Sequence, residues 1–142
     1  MTERRFAIVT GASSGIGLEL ARCAAKDGYD LLVAADEPLV DASAALGGLG
    51  VELRSVEADL ATAQGVSTLL DAAGARPIDV LVANAGHGLG GAFLDQPPRE
   101  WKHVVDTNIT GTLLLVQQVA RDMVARGEGR ILITGSIAGH IA

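Results

Sequence analysis

One cysteine, Cys23, and an aromatic share of 3% set the first limits on this chain. A lone thiol closes no disulfide within the chain and builds no cysteine metal cluster, so Cys23, on a helical stretch, is expected to be a small core residue. With so few rings, Val, Leu, Ile and Ala must fill the core. Positive charge is also scarce: 11 Lys and Arg against 17 Asp and Glu leave a net charge of −6, which argues against a nucleic-acid partner or an anionic-membrane surface. No run reaches the ~18 apolar residues of a membrane span, and Met1-Thr2-Glu3-Arg4-Arg5 leads into a strand without a signal-type apolar segment. A cytoplasmic protein is expected. No metal site is expected either, because His, Asp and Glu do not fall at metal-ligand spacing.

What the chain has in abundance is apolar sequence, 49%, and glycine, 18 of 142 residues. The length is that of a single domain, 1–142, which can bury about two thirds of its unfolded surface. The most informative stretch is Thr10-Gly11-Ala12-Ser13-Ser14-Gly15-Ile16-Gly17, which follows the apolar strand Phe6–Val9 and opens a helical pattern. Strand, glycine turn and helix together outline a dinucleotide site. Gly11 lets the chain leave the strand in a conformation that side chains resist, Gly15 lets backbone approach a pyrophosphate, and Gly17 lets the helix lie tight on the strand. A helix starting near Ser14 would aim free N–H groups and a partial positive charge at phosphates. No Lys-Ser or Lys-Thr follows the last glycine, which argues against a Walker A loop.

Further along, Ile16, Leu20, Cys23 and Ala24 are expected to form the core face of the first helix, and Gly28 to end it. Leu31–Ala35 is a continuous apolar strand, residues 38–46 a short helix, and Val51–Val56 an alternating strand of the kind found at a sheet edge. Val66, Leu69, Leu70 and Ala73 mark a third helix before a strand at Val80–Ala83. Pro97-Pro98 opens a long helical region ending near Arg126, with Trp101, Val105, Ile109, Thr112, Val116, Ala120 and Met123 at helical spacing. A fifth strand, Arg130–Thr134, follows. Unbroken alternation of strand and helix predicts an α/β fold with a doubly wound parallel sheet.

Four ordered motifs then resemble the N-terminal part of the short-chain dehydrogenase/reductase family: Thr10-Gly11-x-x-x-Gly15-Ile16-Gly17, Asp59-Leu60, Asn84-Ala85-Gly86 and Asn108. Ser136, after the fifth strand, is a further match. The resemblance covers all 142 residues and implies a Rossmann-like sheet of five strands in the order 3-2-1-4-5. It implies cofactor binding by Gly11, Ser13, Ser14, Gly15, Ile16, Gly17, Asp36, Asp59, Leu60, Asn84, Ala85 and Gly86. Asp59 would accept from the adenine amino group, although on its own it could equally cap a helix. Asn108 would distort its helix so that a carbonyl holds a water of a proton relay, and Ser136 would bind the substrate oxygen. The family's Tyr-x-x-x-Lys, which supplies the proton, is not among these residues. Tyr29 lies at the wrong end of the sheet, and neither Lys26 nor Lys102 pairs with a tyrosine.

Two expectations follow. The chain is the N-terminal part, truncated after the fifth strand, of an NAD(P)-dependent oxidoreductase acting on an alcohol or carbonyl; alternatively it is an inactive dinucleotide-binding module. Substrate identity stays open. NAD is expected over NADP, because Asp36 stands where NADP users of the family often carry Arg, Glu37 follows, and Ser14 replaces a basic residue; Asp36 as a plain helix cap is the competing reading. A homodimer or homotetramer is expected from the apolar run Leu113–Val116. His87 and His140 read as loop residues.

Overall fold

The computed structural model describes residues 4–141. Five parallel strands, β1 (Phe6–Thr10), β2 (Asp30–Ala35), β3 (Leu53–Glu57), β4 (Val80–Ala83) and β5 (Arg130–Ile133), pair in the order β3-β2-β1-β4-β5. Each connection is a helical crossover: α1 (Gly15–Lys26), α2 (Val40–Leu46), α3 (Ala63–Ala73), and the pair α4 (Pro98–Val105) and α5 (Thr112–Arg126). β3 is an edge strand, as its polar alternation implies, and β1 and β2 are buried along their whole length.

Alternation along the central strands divides the core in two. Ala7, Val9, Leu31 and Val33 face α1 and α2, whereas Phe6, Ile8, Leu32 and Leu81 face α3 and α5. Val66, Leu69 and Ala73 close the second layer from α3, and Leu115, Val119 and Met123 close it from α5. At the N-terminal ends of the strands, a charged cluster locks β1, β2 and the loop before β4: Asp30 is buried and accepts from Arg76 at 2.6 Å and from the Glu52 N–H at 2.8 Å.

Two helix faces differ from the sequence expectation. α1 buries Gly17, Ala21 and Ala25, while Ile16 is 63% exposed and Cys23 is exposed rather than in the core. The helix lies so close to the sheet that only glycine and alanine fit beneath it, which turns the larger apolar side chains to the flanks. In the long helical region the buried residues are Thr107, Gly111, Leu115, Val119 and Met123, a four-residue repeat, and Trp101, Val105 and Ile109 stay exposed. α4 has no buried residue, and a π-helical segment, Asp106–Gly111, joins it to α5. The core face begins only at Thr107, within this segment, and of the residues at the expected spacing Met123 alone is buried.

Candidate functional site

Thr10, the last residue of β1, is fully buried, and its hydroxyl organises the strand ends. It accepts from the N–H groups of Asn84 and Ala85, each at 3.0 Å. The Asn84 side chain answers by donating to the carbonyls of Thr10 and Gly11 at 3.2 and 3.3 Å. Thr134 Oγ1 donates to Asn84 Oδ1 at 2.7 Å. Thus β1, β4 and the residue following β5 are held in one hydrogen-bonded row. Neither Thr10 nor Thr134 carried a role in the sequence reading; the only available signal was that each is the hydroxyl residue at the end of an apolar strand. Thr10→Val keeps shape and burial but leaves the Ala85 N–H without an acceptor, so we expect a stability loss of about 2 kcal/mol by urea denaturation. A loss below about 0.5 kcal/mol would remove Thr10 from this role.

Above this row the glycine turn swings out. Gly11 and Gly15 adopt φ of 65° and 55°. Gly17 packs so closely that a methyl there would overlap the Gly11 carbonyl oxygen. Ser14 is the N-cap of α1, in extended conformation and with no side-chain cap bond, so the first N–H groups of the helix are left to an outside acceptor.

A cavity of about 610 Å³ opens here, at the C-terminal ends of the strands and over the switch point between β1 and β4. Its walls bring together Gly11, Ser13, Ser14, Ile16 and Gly17 from the turn, Asp36 and Glu37 after β2, and Asp59 and Leu60 after β3. Asn84, Ala85 and Gly86 complete it from the loop after β4, along with His87, His103, Thr107 and Thr134. Thr62, not Asp59, caps α3, accepting from the Gly65 N–H, and Leu39 is the N-cap of α2, so neither Asp59 nor Asp36 serves as a helix cap. Ser13 Oγ donates to Glu37 Oε2 at 3.3 Å, tying the glycine turn to the end of β2.

Three expected residues lie off the cavity lining. Gly15 turns its open side to solvent. Asn108 stands behind the wall inside the π segment, where its amide accepts from the His87 N–H at 3.0 Å and donates to the His87 carbonyl at 2.8 Å. Ser136 caps a short 3-10 turn, accepting from the Ala138 N–H at 3.1 Å.

The sequence profile of short chain dehydrogenases matches residues 5–142. The chain belongs to that family. It is 36% identical over 141 residues to the 3-dehydrosphinganine reductase TSC10B of Arabidopsis thaliana, covering 95% of this chain and 42% of that protein. A short-chain type dehydrogenase/reductase from Mycobacterium marinum superposes with a TM-score of 0.88 at 36% identity, over 96% of this chain and 56% of the other. The L-sorbose reductase of Gluconobacter frateurii, solved with NADPH and L-sorbose, superposes with a TM-score of 0.86 at 30% identity, over 94% and 52%. The chain spans about half the length of the relatives it matches.

The site suits the nicotinamide dinucleotide this family implies. Its volume is in the range of a small-molecule site. The glycine turn leaves room beside Gly15 for a phosphate, and the buried hydroxyl of Thr107 on the cavity wall has no partner among the described residues. No described residue of the cavity wall is Lys or Arg. Positive potential therefore comes from the α1 N-terminus.

Proposed function

We propose that the protein is a nicotinamide-dependent oxidoreductase of the short-chain type, that these residues form its dinucleotide site, and that NAD is preferred to NADP. The observation that carries the preference is the pair Asp36 and Glu37 on the cavity wall, with no Lys or Arg among the described residues that line it. The adenosine ribose of a dinucleotide in such a sheet lies over the end of the second strand, so its 2′ position meets these carboxylates. A 2′-phosphate brings about −1.5 to −2 charges. Repulsion at ~4 Å, after screening by water and salt, amounts to roughly 1 to 3 kcal/mol, or about 5-fold to 150-fold in affinity. The sorbose reductase above was solved with NADPH, so the family fold itself does not decide between the two cofactors.

When bound, the nicotinamide supplies or accepts the hydride. This chain's residues bind and orient: the α1 N-terminus would take the pyrophosphate, Asp59 and Leu60 the adenine, and Asn84-Ala85-Gly86 the adjoining ribose and the strand ends. Asn108 shapes the helix beside the cavity, and Ser136 stands after β5 for an alcohol or carbonyl oxygen. An inactive dinucleotide-binding module is the alternative; it would bind the same cofactor without turnover. We further propose self-association through α5, although of the expected run Leu113–Val116 only Leu113 is exposed, Leu115 being buried and Leu114 and Val116 packed against the core.

Titration with NADH and NADPH by fluorescence or calorimetry tests the cofactor assignment. The wild type should bind NADH at least 5-fold more tightly, and Asp36→Arg should narrow or reverse the gap. Equal or tighter NADPH binding by the wild type, or no NADPH gain in the variant, would remove Asp36 from this role.

A further inference from the structure

Two histidines on the cavity wall make a contact that the reading above does not use. His87 Nε2 and His103 Nδ1 are 2.9 Å apart, and their rings meet at 44° with centroids 5.0 Å apart. On its far side, His103 Nε2 stands 3.5 Å from Asp59 Oδ1. Three side chains from three segments, the loop after β4, α4 and the turn after β3, therefore form one row across the wall.

Hydrogen-bond logic gives the row a direction. If the nitrogen facing the carboxylate, His103 Nε2, carries its proton, then His103 Nδ1 is an acceptor and His87 Nε2 must be the donor. The row then reads His87 N–H to His103, and His103 N–H toward Asp59. Asp59 Oδ1 also accepts from the Ala61 N–H at 2.9 Å. The Ala61 hydrogen bond and the His103 contact converge on one oxygen, and Oδ2 has no partner among the described residues.

The backbone beneath the row is held firmly at both ends. The Asn108 amide grips His87 through its N–H and its carbonyl. Gly111, in the same π segment, presses against the Leu60 carbonyl beside Asp59. His103 and Asp59 side chains are 40% and 45% exposed, so their contact adds little to folding and its consequence falls on the cavity.

We infer that His103, steadied by His87, is a positioning residue that holds the Asp59 carboxylate with Oδ1 occupied and Oδ2 turned to the adenine amino group. The inference rests on Asp59 being the adenine acceptor, as proposed above. It identifies His103 as a determinant of selectivity for the adenine base, acting only through Asp59.

The test compares the affinity of NADH with that of its hypoxanthine analogue, which carries a carbonyl oxygen where adenine has the amino donor. Wild type, His103→Ala, His103→Gln, Asp59→Ala and the double variant His103→Ala/Asp59→Ala are titrated as full chains, with thermal melting confirming that each is folded. The wild type should favour NADH, and His103→Ala should reduce that preference about two- to five-fold. Gln, which can donate to Asp59 and accept from His87, should restore it. In the Asp59→Ala background, removing His103 should change nothing further. His87→Ala, a second variant on the same row, should shift the preference in the same direction by less. If Asp59→Ala removes the preference but His103→Ala keeps it, or if His103→Ala acts equally without Asp59, the positioning role is overturned while adenine recognition by Asp59 stands. If Asp59→Ala leaves the preference intact, the underlying reading fails and the inference with it.

Discussion

Gly17→Ala is expected to cost about 3 kcal/mol of folding stability and to abolish tight dinucleotide binding, although alanine is the better helix former. The intrinsic gain of replacing glycine within a helix is about 1 kcal/mol. Against it stands a methyl group with nowhere to go: its position overlaps the Gly11 carbonyl oxygen and lies 2.5 Å from Asn84 Nδ2. The first obstacle is backbone, and the second is a side chain tied to Thr10, Gly11 and Thr134. Relief requires α1 to lift from the sheet, which moves its N-terminus and the glycine turn together; overpacking costs about 1 to 3 kcal/mol and occasionally more, and a direct clash with backbone belongs above that range, at about 4 kcal/mol, which leaves about 3 kcal/mol after the helix gain. Gly15→Ala is the internal control. Nothing lies within 4 Å of a side chain there, so only the strain of φ 55° remains, about 1 to 2 kcal/mol. Urea denaturation and NADH titration of both variants check the argument; a Gly17→Ala protein as stable as Gly15→Ala would refute the close-packing account.

Asp30→Ala should be comparably damaging at the opposite end of the strands, where no ligand is involved. The substitution deprives the Glu52 N–H of its acceptor and removes the closest anion from Arg76, whose side chain is 12% exposed. Arg76 also lies 4.7 Å from the Phe6 ring centre and donates to the Arg4 carbonyl, so it has little freedom to escape to water. Breaking a buried pair costs about 3 to 5 kcal/mol, and because Glu52 stays 3.5 Å from Arg76 we expect about 3 kcal/mol. The loss has a pH signature. Burial alone pushes the Asp30 carboxyl up, but the Arg76 hydrogen bond, the Glu52 N–H and the charges of Arg76 and Arg4 together outweigh it and leave the group below its ordinary range. A depressed carboxyl stabilises the fold fully above the unfolded value near 4, and that share disappears as pH falls through the lower folded value. Urea midpoints between pH 2 and 7 should therefore fall more steeply on the acid side in the wild type than in Asp30→Ala. Parallel curves would show that Asp30 titrates alike in the folded and unfolded chain.

Most of the architecture was legible in the chain alone. Continuous apolar runs at Leu31–Ala35 and Val80–Ala83 can only be strands buried on both faces, and the polar alternation around Leu53 marks an edge; the pairing order bears both out. The glycine turn was legible for the same local reason, since the positive φ expected at Gly11 follows from residue type and spacing, whereas that of Gly15 came only with the structure. These features depend on period, chirality and the presence or absence of a side chain, which sequence states directly. What tertiary structure decided was everything set by the distance between elements. The close seat of α1 replaced Ile16 and Cys23 with Gly17, Ala21 and Ala25 as the buried stripe, because clearance beneath a helix is not a property of the helix. Along the helical region after Pro97 the core face falls on Thr107, Leu115 and Val119 rather than Trp101 and Val105, because α4 buries no residue and only the π segment and α5 reach the core. Asp59, His87 and His103 became a row only when three separate segments met on one wall, a juxtaposition with no local signature in any of them.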